Sequence, residues 1–142
     1  VQYQLFGETT GRAGVRDGVN VISFRNLNSE YRGALAVTSL WYQPDTGVII
    51  EFDIAVNDGV PLAINAWPDG CSEYPINTCI GNQLSYDLPS IMTHEIGHTL
   101  ILLDLTQSSW GEMTMYGAAS RGELKKRTLG LGDRIGLNTL YP

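Results

Sequence analysis

The chain has 142 residues, of which 43% are apolar, and it carries a formal charge of −6 at pH 7. This length corresponds to a single domain, and no unbroken apolar run approaches the roughly 18 residues that span a bilayer. The negative charge argues against nucleic acid or an anionic membrane as a partner. We therefore expect a soluble, monomeric, globular protein, and the absence of a leader pattern at Val1 suggests a processed end.

Basic residues are missing from a long central segment between Arg32 and Arg121. The same segment holds ten acidic residues: Asp45, Glu51, Asp53, Asp58, Asp69, Glu73, Asp87, Glu95, Asp104 and Glu112. Such a segment would favour bound cations or a positively charged substrate, and an acidic solvated surface explains it equally well.

The two cysteines, Cys71 and Cys79, bracket a short loop that contains Pro75. A disulfide is the expected pairing, which implies an oxidising compartment and would contribute about 2–3 kcal/mol of stability. The alternative, two zinc-binding thiolates, is disfavoured because the only two histidines form a better site of their own.

Strands are expected first along the chain and helices later. The expected strands cover residues 3–6, 19–24, 33–42 and 48–56, and a turn at 44–47 joins the last two as a hairpin. Residues 57–86 are rich in Gly, Pro, Asn and Asp, which predicts a long loop region with a functional role.

Two helices follow in this prediction. Asp87 is expected to cap the first, with Pro89 in its first turn. The apolar ridge of this helix consists of Leu88, Met92, Ile96 and Leu100. A last helix is expected over residues 132–140, with Ile135, Leu137 and Leu140 buried. Strands followed by helices predict an α+β domain.

Both histidines lie in the stretch His94-Glu95-Ile96-Gly97-His98, which has the pattern H-E-x-x-H. Residues four apart on a helix share one face, so His94 and His98 can hold one tetrahedral zinc while Glu95 points at the open position. The pattern arises by chance in well under about 1% of chains this short. The alternative is a surface helix with two unrelated histidines.

Residues 86–98, 114–117 and 133–142 together resemble the matrixin branch of the metzincin zinc peptidases. The resemblance implies a twisted mixed β-sheet packed on the active-site helix, followed by a methionine turn and a C-terminal helix. It implies that residues 1–142 form one catalytic domain with one catalytic Zn²⁺. The implied activity is secreted, zinc-dependent endopeptidase hydrolysis of proteins or peptides, in which a metal-activated water attacks the peptide bond.

Position by position, His94 and His98 match the first two zinc ligands, and Glu95 matches the general base. The third ligand of the family falls on Asp104, and carboxylate oxygen is a sound zinc ligand. The family has glycine where this chain has Ile101. On an unbroken helix Asp104 would stand about 9 Å along the axis from His98, so the chain must turn near Ile101.

The methionine turn of the family matches Met115, because Tyr116 follows it as in matrixins. Met113 is the alternative, and simple core packing is the other explanation for either methionine. Tyr116 would line the pocket for the substrate residue that follows the cleaved bond. Residues 7–18 are too few and too rich in glycine for the helix that matrixin domains usually place between their first two strands, which suggests a minimal member or a trimmed one.

Two rival interpretations stay open. In a gluzincin-type site Glu123 would replace Asp104 as the third ligand. In the other, the unfavourable residue at position 101 leaves a metzincin-like, zinc-stabilised binding module with weak activity. A structural Ca²⁺ is also allowed for, with no residue assigned to it.

Overall fold

A computed structural model describes residues 3–4, 6–66 and 79–142. Within these residues the chain forms a small mixed α+β fold, as predicted. The strands are β1 (Val21–Arg25), β2 (Ala36–Tyr42), β3 (Ile49–Asn57), β4 (Leu62–Ala63) and β5 (Tyr86–Asp87). The helices are α1 (Leu88–Thr99) and α2 (Leu131–Leu140), with 3₁₀ turns at Ser108–Trp110 and Lys125–Arg127.

The main sheet is mixed and has the strand order β1-β3-β2. Strand β3 pairs in parallel with β1 and antiparallel with β2, so the predicted hairpin of β2 and β3 is confirmed. A second, two-stranded parallel ladder joins β4 to β5, and β5 leads directly into α1. Both short strands lie at the ends of the predicted loop region.

The central strand β3 is buried on both faces. Ile54 and Val56 are fully buried on one face. This face looks toward α1, because Thr38 lies opposite Ile54 in β2 and its hydroxyl contacts Glu95 in α1. The opposite face carries an apolar cluster of Ala13, Val21, Leu27 and Ala55.

Two buried acids of β3 hold the loop that precedes β1. Glu51 and Asp53 are only 2% and 1% exposed. Their carboxylates accept hydrogen bonds from the backbone N–H groups of Gly14, Val15, Asp17, Gly18 and Val21. Two acidic residues of the segment without lysine or arginine therefore have a structural role, because a buried carboxylate needs hydrogen-bond donors such as these N–H groups.

The predicted strand at residues 3–6 is wrong for Tyr3, Gln4 and Phe6, and Leu5 lies outside the described residues. Side-chain contacts hold this segment, and strand pairing does not. The Tyr3 hydroxyl lies 2.6 Å from Oγ1 of Thr99, and its ring packs edge-on against another aromatic ring of β3. Phe6 is 92% exposed, so no apolar face is available to seat a strand there.

The extent of α2 agrees with the prediction, but the prediction of its buried residues is wrong. Ile135 and Leu140 are exposed and Leu137 is only half-buried. The one buried residue of this helix is Asp133, whose carboxylate accepts hydrogen bonds from the N–H groups of Thr114 and Gly130. A buried carboxylate at its first turn therefore anchors α2 to the rest of the fold.

Helix α1 begins as predicted, because the Asp87 carboxylate accepts a hydrogen bond from the N–H of Ser90 at 3.1 Å and Pro89 lies in the first turn. The predicted apolar ridge is only half-buried. The buried residues of α1 are Ser90, Ile91, Glu95, Gly97 and Thr99. The inner face is therefore largely polar, because it carries the groups that contact the sheet and the site.

The predicted disulfide involves Cys71, which lies outside the described residues, as does the rest of 67–78. The disulfide stays a prediction. Its other cysteine, Cys79, is buried against Leu124.

Among the described residues, no helix is both long enough and apolar enough to span a membrane.

Candidate metal centre

Helix α1 ends in a left-handed turn at Ile101, whose φ is 65°. The N–H of Ile101 donates to the carbonyl of His98 at 2.9 Å, and the N–H of Leu102 donates to the carbonyl of Gly97 at 3.2 Å. These two bonds define a Schellman motif, in which the left-handed position usually holds glycine. The expected turn near Ile101 is thus confirmed, and a β-branched residue makes it.

This turn has two consequences for the site. It places the carbonyl oxygen of Leu102 at 2.7 Å from Nδ1 of His98. It also folds the chain back so that Asp104 faces both histidines.

Three potential ligand atoms converge at the end of α1. The Nε2 atoms of His94 and His98 are 3.2 Å apart, and Oδ1 of Asp104 lies 3.2 Å from the first and 3.7 Å from the second. Ligand atoms at about 2.0–2.1 Å from a tetrahedral zinc lie about 3.3 Å from one another. The three atoms therefore have the spacing of three corners of a zinc tetrahedron.

The hydrogen bonds of the two rings fix which nitrogen faces this point. Nδ1 of His94 lies 2.8 Å from the carbonyl oxygen of Thr114, and Nδ1 of His98 contacts that of Leu102. Because a carbonyl only accepts, each Nδ1 of a neutral ring donates, which leaves each Nε2 with a free lone pair. Two lone pairs and a carboxylate oxygen then face one another, and either a bound cation or a proton on one ring relieves their repulsion.

Glu95 lies beside these atoms but is tied to the sheet. Its side chain is buried, and its Oε2 accepts a hydrogen bond from Oγ1 of Thr38 at 2.6 Å. One carboxylate oxygen lies within 4.8 Å of a ring nitrogen of both His94 and His98. Glu95 is thus close enough to exchange a proton with a molecule bound at the centre, and Thr38 holds its carboxylate in place.

Met115 packs under the helix that carries the histidines. It is 1% exposed, and a Cβ added to Gly97 would overlap its Sδ atom. Met113 contacts the start of α2 instead, because its Sδ lies about 3 Å from the positions that a Cβ would take at Gly130 and Gly132. Of the two methionines, the structure places Met115 next to the site.

The backbone around Met115 is held by α2. Asp133 accepts hydrogen bonds from the N–H groups of Thr114 at 2.7 Å and Met115 at 3.3 Å. The carbonyl of the same Thr114 receives the hydrogen bond of His94. Asp133 therefore orients a histidine that it does not touch.

The segment that carries Asp104 pairs with the turn that contains Met115. The N–H of Leu105 donates to the carbonyl of Met115 at 2.8 Å, and the N–H of Gly117 donates to that of Leu105 at 3.0 Å. A Cβ at Gly117 would come within 3.1 Å of Oδ1 of Asp104. The bare glycine leaves room for this carboxylate.

A cavity of about 940 Å³ opens beside the three ligand atoms. Tyr116 lines it together with Lys126, and its role in a substrate pocket stays a prediction. The buried ammonium of Lys126 donates to the carbonyls of Tyr116 and Ala118. Burial lowers the pKa of Lys126, although the nearby Glu123 carboxylate acts in the opposite direction. Lys126 thus fixes the backbone that forms this wall.

Glu123 also lines the cavity but has other partners than the histidines. Its Oε2 accepts a long hydrogen bond from the N–H of Ser120 at 3.4 Å and lies 4.0 Å from Nζ of Lys125. The structure thus brings Asp104, and not Glu123, against the two histidines.

Sequence reasoning missed the residues that position the site: Thr38, Leu102, Thr114, Asp133 and Lys126. They belong to distant segments and act through single hydrogen bonds, so no periodic pattern marks them. Gly97 was the available signal, since a glycine inside a helix often reflects close packing.

Comparison with known proteins gave no match to a family model, to a curated protein or to a solved structure.

Proposed function

We propose that the chain is a secreted, zinc-dependent endopeptidase of the metzincin type, similar to matrixins, that hydrolyses protein or peptide substrates. The observation that carries this proposal is the tetrahedral spacing of three lone-pair atoms, from His94, His98 and Asp104, beside the buried carboxylate of Glu95. This arrangement lies at the edge of a cavity that has room for a peptide side chain.

The three residues would hold the zinc, and the cavity would leave one position open. The side chain of Asp104 is 53% exposed, whereas those of His94 and His98 are 13% and 21% exposed, so the centre faces solvent on the Asp104 side. Zinc held in this way supplies a Lewis acid, which acidifies water and polarises the carbonyl of the peptide bond.

Glu95 would act as the general base. It takes a proton from the attacking water and returns it to the nitrogen of the leaving amine, so no covalent link to the protein forms. Thr38 holds one of its oxygens by a short hydrogen bond, which keeps the carboxylate oriented during both transfers.

The alternative of a weak binding module rested on a damaged turn at Ile101. The hydrogen bonds of the Schellman motif are all present there, and Asp104 reaches the histidines. This geometry favours the peptidase over the binding module.

The experiment is hydrolysis of casein and of a quenched fluorescent peptide library by the purified chain. Activity should disappear with a zinc chelator and return with added zinc. Glu95→Gln should lower turnover by several orders of magnitude while one zinc per chain is retained, because it removes only the base.

The matched control is Glu112→Gln, which makes the same change at an acid with a 55% exposed side chain. It should leave turnover unchanged. A parent chain that binds zinc without cleaving any peptide would favour the binding module, and loss of zinc in Glu95→Gln would overturn the assigned role.

A further inference from the structure

The cavity extends from the metal centre to a carboxylate that the peptidase mechanism does not use. Its lining includes His98 and Glu95 at one end, and Ser120 and Glu123 belong to it as well. The inference drawn from this carboxylate rests on the proposed peptidase function and concerns which substrates it selects.

The carboxylate of Glu123 has unfilled capacity for hydrogen bonds. Its side chain is only 17% exposed, and its Oε1 is buried without a hydrogen-bond partner among the described residues. The other oxygen accepts only the long bond from Ser120. A carboxylate can accept about four hydrogen bonds, and buried polar atoms are almost always paired. Because Glu123 lines the cavity and keeps part of its side chain exposed, a ligand there can supply a donor to this under-bonded carboxylate.

The neighbouring cations do not fill this role. Nζ of Lys125 bonds Glu112 at 3.1 Å and remains 4.0 Å from Glu123. Lys126 directs hydrogen bonds to backbone carbonyls. Neither lysine therefore donates a direct hydrogen bond to the Glu123 carboxylate. Such hydrogen bonds supply much of the strength of an ion pair at short range.

Of the other acids that line the cavity, Glu95 and Asp104 belong to the proposed metal centre and Asp87 is already balanced. Arg127 contacts both carboxylate oxygens of Asp87, with N–O distances of 2.6 and 2.8 Å. Glu123 is thus the acid of this wall that a ligand can still neutralise.

The backbone at Glu123 is well held. Glu123 forms an antiparallel bridge with Ile80, and its carbonyl accepts a hydrogen bond from the hydroxyl of Ser90 in α1 at 3.4 Å. Its N–H donates to the carbonyl of Ser120 at 3.2 Å. A change confined to the carboxylate therefore leaves the wall in place.

We propose that Glu123 is a specificity-determining residue, which selects peptides with an arginine or lysine side chain in this cavity. A guanidinium presents a planar fork of N–H donors that matches a carboxylate, so arginine is preferred over lysine. The segment from residue 33 to 120, which supplies most of the cavity wall, contains no lysine or arginine. The lysine of the lining, Lys126, has a buried ammonium that is already bonded to the carbonyls of Tyr116 and Ala118.

The first test compares cleavage of peptides that differ only in arginine or citrulline, which has the same shape without the charge. The peptides compare arginine with citrulline at each position around the cleaved bond in turn. At one position the parent should cleave the arginine peptide faster by about tenfold or more. Glu123→Gln should lose this preference, and Glu8→Gln, which makes the same change at an exposed acid outside the cavity, should keep it.

The second test measures binding and does not need turnover. Calorimetry with zinc-loaded Glu95→Gln protein should show about tenfold tighter binding of the arginine peptide, and the preference should vanish in Glu95→Gln combined with Glu123→Gln. The melting temperature of Glu123→Gln should be unchanged or higher, because no hydrogen bond to Oε1 is lost.

The outcomes separate the two proposals. Arginine-selective binding without cleavage would overturn the peptidase function but support the role of Glu123. Cleavage with equal rates for arginine and citrulline at every position, or a preference that survives Glu123→Gln, would overturn the role of Glu123 alone.

Discussion

At the scale of single residues, the backbone of Ile101 decides whether the site can form. Its left-handed conformation ends α1 and returns the chain, so that Asp104 reaches His94 and His98. Such a conformation costs an L-residue with a side chain roughly 1–2 kcal/mol, and β-branched residues adopt it least readily. The strained backbone conformation thus occurs at a position on which the proposed metal site depends.

Replacement of Ile101 tests this strain. Ile101→Gly should be more stable than Ile101→Ala by about 1 kcal/mol, because alanine keeps the Cβ that makes the conformation unfavourable. The two variants lose almost the same apolar side chain, which is 39% exposed, so packing does not separate them. Urea unfolding gives the difference directly.

The reverse order of stability would contradict a left-handed Ile101. It would mean that the helix continues through this position, where glycine is destabilising by about 1 kcal/mol relative to alanine. Zinc affinity of Ile101→Gly should equal or exceed that of the parent.

At the scale of elements, the close contact of α1 with the methionine turn sets the position of the histidines. Gly97 lies between the two ligands, and its missing side chain lets Met115 pack directly on the helix. Helix α2 has a glycine with different surroundings, since a Cβ at Gly136 would meet only Cδ2 of Leu102 at 3.4 Å. The two glycines therefore make a matched pair.

Alanine at the two positions should have opposite effects. Gly97→Ala should destabilise the fold by about 1–3 kcal/mol and weaken zinc binding, because the methionine must move. Gly136→Ala should stabilise it by about 0.5–1 kcal/mol, the difference in helix propensity. Thermal unfolding with and without zinc measures both effects, and a neutral Gly97→Ala would argue against the close packing of Met115.

Elements were predictable where local chemistry defines them. Asp87 and Pro89 located the start of α1, and the turn at residues 44–47 located the hairpin. The burial of α2 was not predictable, because periodicity identifies an apolar face without showing whether a partner covers it. In this helix Asp133 provides the contact, and a single buried carboxylate leaves no periodic signal.

At the scale of the molecule, an ion pair links the start of α1 to the segment after the cavity. Arg127 contacts Asp87 and also the carbonyl of Asn65 at 2.5 Å, so it joins three distant parts of the chain. Burial alone would raise the pKa of Asp87, but hydrogen bonds from Arg127 and Ser90 outweigh it and lower the pKa below its ordinary value of 3.8.

A lowered pKa in the folded state means that ionised Asp87 stabilises the fold above the ordinary value. This contribution should be lost as the pH falls through the folded-state pKa, because both states are then protonated. Asp87→Asn should be less stable than the parent by about 3 kcal/mol near neutral pH, since it removes the negative charge that Asp87 places beside the largely buried guanidinium of Arg127.

Urea unfolding at a series of pH values checks the sign. The difference between parent and Asp87→Asn should shrink as the pH falls below 3.8. A difference that stays constant over this range would show that the charge of Asp87 does not contribute.

The site as a whole was predictable only in its local part. His94, Glu95 and His98 lie within one helical turn, so their spacing alone brings them together. Asp104 needed the turn at Ile101, whose side chain argues against such a turn. Thr38 and Asp133 come from opposite ends of the chain, and only the fold places them beside the site.

The three proposed zinc ligands offer the most direct test. Zinc binding can be measured by competition with a coloured chelator for the parent, Asp104→Ala and Glu123→Ala. The parent should bind one zinc per chain, and Asp104→Ala should bind it more weakly by about 100-fold or more, because one of three protein ligands is lost. Glu123→Ala should bind zinc like the parent. Unchanged affinity in Asp104→Ala together with loss of zinc in Glu123→Ala would contradict the proposed centre of His94, His98 and Asp104.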